Sequence, residues 1–197
     1  HLIMALITFT EQGLYCEAGQ FFIDPWKPVD HAVITHAHSD HARWGSVHYL
    51  CHHDTLPILR FRLGTIQAQS AAWGEPVYKN GVKISLHPAG HIIGSSQIRV
   101  EYKGEVYVVS GDYKTEPDGI SGSFEPVRCH TFLTESTFAL PIYQWEPQET
   151  MFSKIGQWIT KNQQEGKTSV LIAYSLGKAQ RILQAITPVT QNIFVHG

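Results

Sequence analysis

Thr35-His36-Ala37-His38-Ser39-Asp40-His41 follows directly on the apolar run Ala32-Val33-Ile34. Four side chains able to ligate a metal, His36, His38, Asp40 and His41, fall within this stretch. Two histidines at i and i+2 of an extended segment point the same way. Asp40 and His41 come next, at what reads as a helix start over 40–44, and can face a second ion. Imidazole and carboxylate together suit zinc, manganese or iron. Four such groups in this order, straight after a buried strand, argue against a chance cluster in a polar loop.

Three further positions share this chemistry. His91 stands between glycines in His87-Pro88-Ala89-Gly90-His91-Ile92-Ile93-Gly94-Ser95, which lets the backbone form a tight loop at a strand end. Asp112, in Ser110-Gly111-Asp112-Tyr113, ends an apolar strand, and Glu135 ends another in Leu133-Thr134-Glu135-Ser136-Thr137. Alone, each is an ordinary loop residue. Beside the first motif, a ligand is the better reading of His91, and a carboxylate shared by two metals that of Asp112.

Around these motifs the pattern predicts strands at 2–9, 14–17, 20–23, 32–35, 47–51, 82–87, 97–102, 105–110 and 131–134, with a Lys103-Gly104 hairpin turn. A helix is expected at 54–63, with Asp54 as N-cap and Gly64 as C-cap. Beyond about residue 141 the texture changes. A helix opens at Pro147 with Met151, Ile155, Trp158 and Ile159 on one stripe, an apolar strand follows at 168–173, Ser175 caps another helix, and a strand begins at 193. Strand–helix–strand alternation describes a parallel α/β layer.

The 197 residues include twelve histidines but only three cysteines and two methionines. Cys16, Cys51 and Cys129 form no CxxC pair, which argues against a disulfide scaffold or a zinc-thiolate site and fits a reducing cytoplasm. The net charge is −2, so no global basic field announces a nucleic-acid partner. No apolar run approaches the roughly 20 residues of a membrane helix; Met4 is a candidate start residue. His52, His53, Asp54 and His87 read as loop, capping or packing residues, and His31, His48 and His130 carry no motif. Lys114, Lys178 and Arg181 are solvated charges by default. Trp26, Trp44, Trp73, Tyr143 and Trp145 could stack on bases, with core packing as the default.

At these residues the sequence resembles a known family. His36-Ala37-His38-Ser39-Asp40-His41, then His91, then Asp112, is similar to the metal-binding series of the metallo-β-lactamase fold, and Asp24 matches that fold's first motif, where the carboxylate supports the His loop. Gly90-His91-Ile92-Ile93-Gly94-Ser95, Gly111-Asp112, Thr134-Glu135-Ser136-Thr137 and Tyr174-Ser175-Leu176-Gly177-Lys178-Ala179-Gln180 look like the β-CASP nucleases. That branch includes Artemis-type DNA nucleases and RNA 3′-end-processing endonucleases; the bacterial ligase-associated DNA exonucleases and mRNA 3′-end-processing-like factors resemble this sequence most.

The resemblance implies an α/β (α+β) chain: a metallo-β-lactamase αββα sandwich at 1–143, then the incomplete start of a parallel α/β β-CASP insert at 144–197. It implies two Zn2+ ions, with Mn2+ or Fe as alternatives. One would be held by His36, His38, His91 and Asp112, the other by Asp40, His41 and Asp112 plus a ligand outside this chain. Catalytic roles fall to Asp40, Asp112 and Glu135, and hydrolysis of DNA or RNA proceeds by a hydroxide bridging the metals. A DNA exonuclease of repair ranks before an RNA-processing enzyme. Association with a DNA ligase or helicase is implied by the resemblance alone, and neither a membrane partner nor a location outside the cytoplasm is expected. The family's two later histidine motifs are not visible, and His196 resembles the last of them only superficially. The chain therefore reads as an N-terminal fragment that keeps the first metal site, binds a second ion weakly and has little nuclease activity. The rival readings are a small-molecule lactonase or thioesterase, which would lack Thr134-Glu135-Ser136-Thr137 and the α/β insert, and a catalytically incomplete nucleic-acid-binding fragment, which would have lost early ligands that this chain keeps.

Overall fold

The computed structural model describes residues 5–196. The first three residues of the strand expected at 2–9, the candidate start Met4 among them, lie outside these. The chain divides into two compact units, His1–Glu135 and Ser136–Gly197; the change of sequence texture falls a few residues later, at 143/144.

The first unit is built on two mixed sheets. β1 (Thr8–Thr10), β2 (Gly13–Cys16) and β3 (Phe21–Ile23) run antiparallel through tight turns, and β4 (His31–Val33), β5 (His48–His52) and β6 (Gln67–Ala71) extend the sheet in parallel. The second sheet has the order β11-β10-β9-β8-β7, where β7 is Val77–Lys79, β8 Val82–Pro88, β9 Ser96–Tyr102, β10 Glu105–Val109 and β11 Thr131–Leu133. Its pairings are antiparallel except β10 with β11. Period-2 alternation turns Val82, Ile84 and Leu86 of β8, and Ile98 and Val100 of β9, into one core with Phe21, Ile23, Val33 and Leu50 of the first sheet. The expected sandwich is thus present. Lys103 and Gly104 both have positive φ (50° and 85°), which suits the two-residue hairpin between β9 and β10.

Outside the sheets, α1 (Thr55–Leu63) forms as expected and ends at Gly64, whose N–H bonds to Arg60 O at 2.9 Å. Asp54 occupies the N-cap position, but its side chain makes no capping bond. The apolar stripe does not name the buried face: Thr55 and Leu59 are buried, whereas Leu56 and Leu63 are half-exposed. The short helix expected over 40–44 does not form. His41 N and Ala42 N both bond to His38 O, at 3.3 and 2.8 Å, and this single turn is not propagated. Five residues cannot offset helix nucleation, and the side chains here are held by other partners.

The second unit contains α2 (Gln148–Gln164) and α3 (Lys178–Ile186). Gly156 and Ile159 are the buried residues of α2, with Phe152 and Ile155 half-buried beside them, while Met151 and Trp158 of the expected stripe are exposed. α3 starts after Gly177 rather than at Ser175, whose carbonyl instead accepts from Gln180 Nε2. The strands expected at 168–173 and from 193 are not formed: Val170 and Ile172 are 74% and 96% exposed, and Phe194 is exposed as well. A strand meets its backbone hydrogen bonds only beside another strand, and the described residues of this unit contain none.

Leu86→Ala should destabilise the first unit by about 2–5 kcal/mol, because Leu86 is fully enclosed in the two-sheet core. Ile172→Ala should leave stability unchanged within about 0.5 kcal/mol. Urea unfolding followed by circular dichroism distinguishes the two.

Candidate metal centre

Asp24 ends β3 with a φ of 43°, and this turns its carboxylate toward the loop after β4. Oδ1 accepts from Thr35 N at 2.8 Å, and Oδ2 accepts from the Thr35 hydroxyl and lies 2.7 Å from His41 Nδ1. A carboxylate only accepts, so His41 presents Nδ1–H to Asp24 and turns Nε2 the other way. The Thr35 hydroxyl has one hydrogen and gives it to Asp24. Toward His36 Nδ1, 3.0 Å away, it can therefore act only as acceptor, so Nδ1 carries the proton. Burial pushes the His36 pKa well below its ordinary value; the ring is neutral and its Nε2 lone pair faces inward. The sequence reading gives Thr35 no role, although a hydroxyl at a strand end directly before a candidate ligand histidine is a usable signal.

The donors converge. His36 Nε2 and His91 Nε2 lie 3.0 and 3.2 Å from His38 Nδ1, and Asp112 Oδ2 lies 3.3 Å from His91 Nε2 and 3.7 Å from His36 Nε2. Four ligands at zinc-like bond lengths of about 2.0–2.1 Å would stand about 3.3 Å apart in a tetrahedron. The observed separations bracket that value, and His36, His38, His91 and Asp112 form one group able to hold an ion. Burial also lowers the His91 pKa, with Asp112 opposing the shift.

The other oxygen of Asp112 faces a second group. Oδ1 is buried and makes no hydrogen bond, although His41 Nε2 stands 3.3 Å away; their approach lacks hydrogen-bond alignment. An orphaned buried carboxylate oxygen is what a cation would satisfy. Burial opposes the charged form of Asp112, but His41 and Glu135 outweigh it and hold the carboxyl well below the usual range. Burial likewise opposes a charged His41, yet the carboxylates of Asp112 and Asp24 push it up to about 10. His41, Asp112 and Glu135 form a further group of three donors, and Asp24, His36 and His41 another.

Asp40 joins none of these groups. Its carboxylate is 72% exposed and lies 3.7 Å from His41 Nε2, because the turn at residues 39–41 directs it outward. Glu135, 46% exposed and 3.8 Å from His41 Nε2, is grouped with His41 and Asp112. The aromatic residues assigned to packing by default also differ: Trp26, Trp44, Trp73, Tyr143 and Trp145 are all exposed. His52 is buried against Trp73, the two rings stacked at 3.4 Å.

Glycines let the three ligand loops touch. Gly111 has a φ of 54°, and a Cβ there would meet Thr35 at 2.7 Å; Gly90 has a φ of 74°, and a Cβ there would meet Lys114 O at 2.5 Å. Backbone bonds complete the join: Ser96 N to Thr35 O at 2.8 Å and Lys114 N to Ala89 O at 2.9 Å.

Comparison with known proteins finds several relatives by sequence. No family model matches the sequence. The chain is 27% identical over 188 residues to a probable DNA ligase of Opitutus terrae, covering 93% of this chain and 18% of that protein. It is 30% identical over 115 residues to the endoribonuclease YSH1 of Kluyveromyces lactis, covering 57% and 15%, and 23% identical over 189 residues to an RNase J-like protein of Methanocaldococcus jannaschii, covering 81% and 44%. These likenesses are consistent with the β-CASP branch of the metallo-β-lactamase fold. The chain spans less than half the length of each of these relatives. The sandwich with its loop donors matches the fold that the motifs implied.

Asp24→Asn keeps the size of the side chain but removes the charge and one acceptor. It should weaken metal binding by about 10–100-fold, measured by competition with a chromogenic zinc chelator, while the far-ultraviolet circular dichroism stays unchanged.

Proposed function

We propose that the protein is a metal-dependent phosphodiesterase that hydrolyses nucleic acid. The observation that carries this reading is the convergence of His36, His38, His91 and Asp112 on one point, with the orphaned Asp112 Oδ1 turned toward His41 and Glu135. His36, His38, His91 and Asp112 would hold one ion, and His41, Asp112 and Glu135 a second, with Asp112 shared. Two Zn2+ ions suit the histidine-rich donor set, and Mn2+ or Fe would also be accepted. When bound, such a pair supplies acidified water and neutralises phosphate charge.

The chain's own residues do the rest. Asp24 fixes the His41 tautomer and aims Nε2 at Asp112. Thr35 does the same for His36. Asp40, exposed at the mouth of the site, is placed to accept a hydrogen bond from an attacking water. Glu135, on the same rim, would complete the donors of the second ion.

DNA is the favoured substrate, in a repair exonuclease, because the match spanning nearly the whole chain is to a protein named a probable DNA ligase. That match also supports association with a ligase. RNA is the second reading, supported by the relatives named endoribonuclease and RNase J-like. The described residues contain no helix long and apolar enough to cross a membrane. The three free cysteines suit a reducing cytoplasm.

The full-length protein, loaded with Zn2+ or Mn2+, should cut labelled DNA or RNA, and His38→Ala should lower the rate by more than about 100-fold. Single- and double-stranded forms of each polymer name the substrate. Equal cleavage by wild type and His38→Ala, or none with any metal, rules the reading out.

A further inference from the structure

The loop that carries His36 to His41 has no regular structure to satisfy its own backbone. Ala37 and Ala42 are fully buried, and a buried carbonyl needs a donor. One side chain serves both: Arg62, in the last turn of α1, donates through Nη1 to Ala37 O and, at 3.4 Å, to Ala42 O. The two carbonyls flank the segment that bears His38, Asp40 and His41. The opposite end of the same helix holds the other histidine loop. Thr55, fully buried in the first turn, donates from Oγ1 to Gly94 O at 2.8 Å. Gly94 lies three residues beyond His91 with a φ of 75°, and a Cβ there would meet Thr55 Oγ1 at 2.4 Å.

Thr55 and Arg62 are seven residues apart. In an α-helix that is about two turns, so both side chains leave the same face about 10 Å apart along the axis. This explains why the buried face of α1 runs through Thr55 and Leu59 rather than the leucine stripe. The histidines of the four-donor group come from these two loops alone: His36 and His38 from one, His91 from the other.

The geometry points to α1 as a brace that sets the spacing of the three histidines, with Arg62 and Thr55 as positioning residues for the metal. Each acts through the backbone of a ligand loop, and the rigid helix between them fixes one loop against the other. Both bonds leave one nitrogen, Nη1, which the planar, permanently charged guanidinium holds in a fixed orientation, whereas a lysine ammonium sits on a flexible stem. The inference rests on the reading of His36, His38, His91 and Asp112 as metal ligands.

The test uses Co2+, whose visible absorption reports the geometry of the bound site, with the full-length protein. Arg62→Met and Thr55→Val are each expected to weaken Co2+ binding by about 10–100-fold and to change the shape of the absorption bands. Arg62→Lys should recover part of the affinity. Leu86→Ala is the control: it should lower the melting temperature at least as far as the α1 variants, yet leave Co2+ affinity and spectrum as in wild type. Unchanged affinity and spectrum in both α1 variants would overturn the brace. So would losses in Leu86→Ala that match those of Arg62→Met, because Arg62 would then serve stability alone. Failure of the wild type to bind Co2+ would refute the metal reading itself, and the brace with it.

Discussion

The centre depends on one carboxylate held in an unfavourable backbone conformation. Asp24 sits at positive φ, a region that costs a non-glycine residue free energy and persists only where surroundings enforce it. What enforces it is a set of three contacts: the Thr35 amide, the Thr35 hydroxyl and the His41 ring. These fix two proton positions. His41 must carry its hydrogen on Nδ1, and the occupied Thr35 hydroxyl forces the hydrogen of His36 onto Nδ1 as well. Both rings then face the centre through Nε2. The ligand geometry is therefore decided by residues that are not themselves in the four-donor group.

The sandwich explains why this arrangement can be rigid. The donor loops leave strand ends in both sheets: β3 and β4 in one, β8 and β10 in the other. They meet at one end of a core in which Phe21 and Ile23 pack among residues of β8 and β9. Two glycines at positive φ, Gly90 and Gly111, remove the side chains that would hold the loops apart. Close packing below and close approach above leave the donors little freedom before any ion arrives, so less of the binding free energy is lost to ordering them.

The sequence made the donors legible because they are dense and chemically unusual. Three histidines and an aspartate behind a buried strand, with His91 and Asp112 at later strand ends, mark the candidate donors without any fold. The two-sheet alternation was equally readable in β8, β9 and β10. What did not show was direction. Asp40 and Glu135 are both acids near His41, but only the path of the turn at 39–41 decides that Asp40 faces outward. The 40–44 segment carries helix-like signals, yet its side chains are engaged elsewhere. Near 170 and 193 the apolar pattern is that of buried strands, but pattern cannot supply a neighbouring strand. Arg62 gave no signal because its partners are backbone carbonyls twenty or more residues away, which side-chain pattern does not record.

The four-donor group also acts as a cross-link. Its members come from chain positions 36, 38, 91 and 112, so an ion held there closes a loop of more than seventy residues and ties one sheet to the other. An unfolded chain cannot present these donors together, and binding free energy at such a site adds to folding free energy. With an ion bound, the proposed centre would at the same time be a clasp: losing the ion would remove chemistry and loosen the seam between the sheets in a single event.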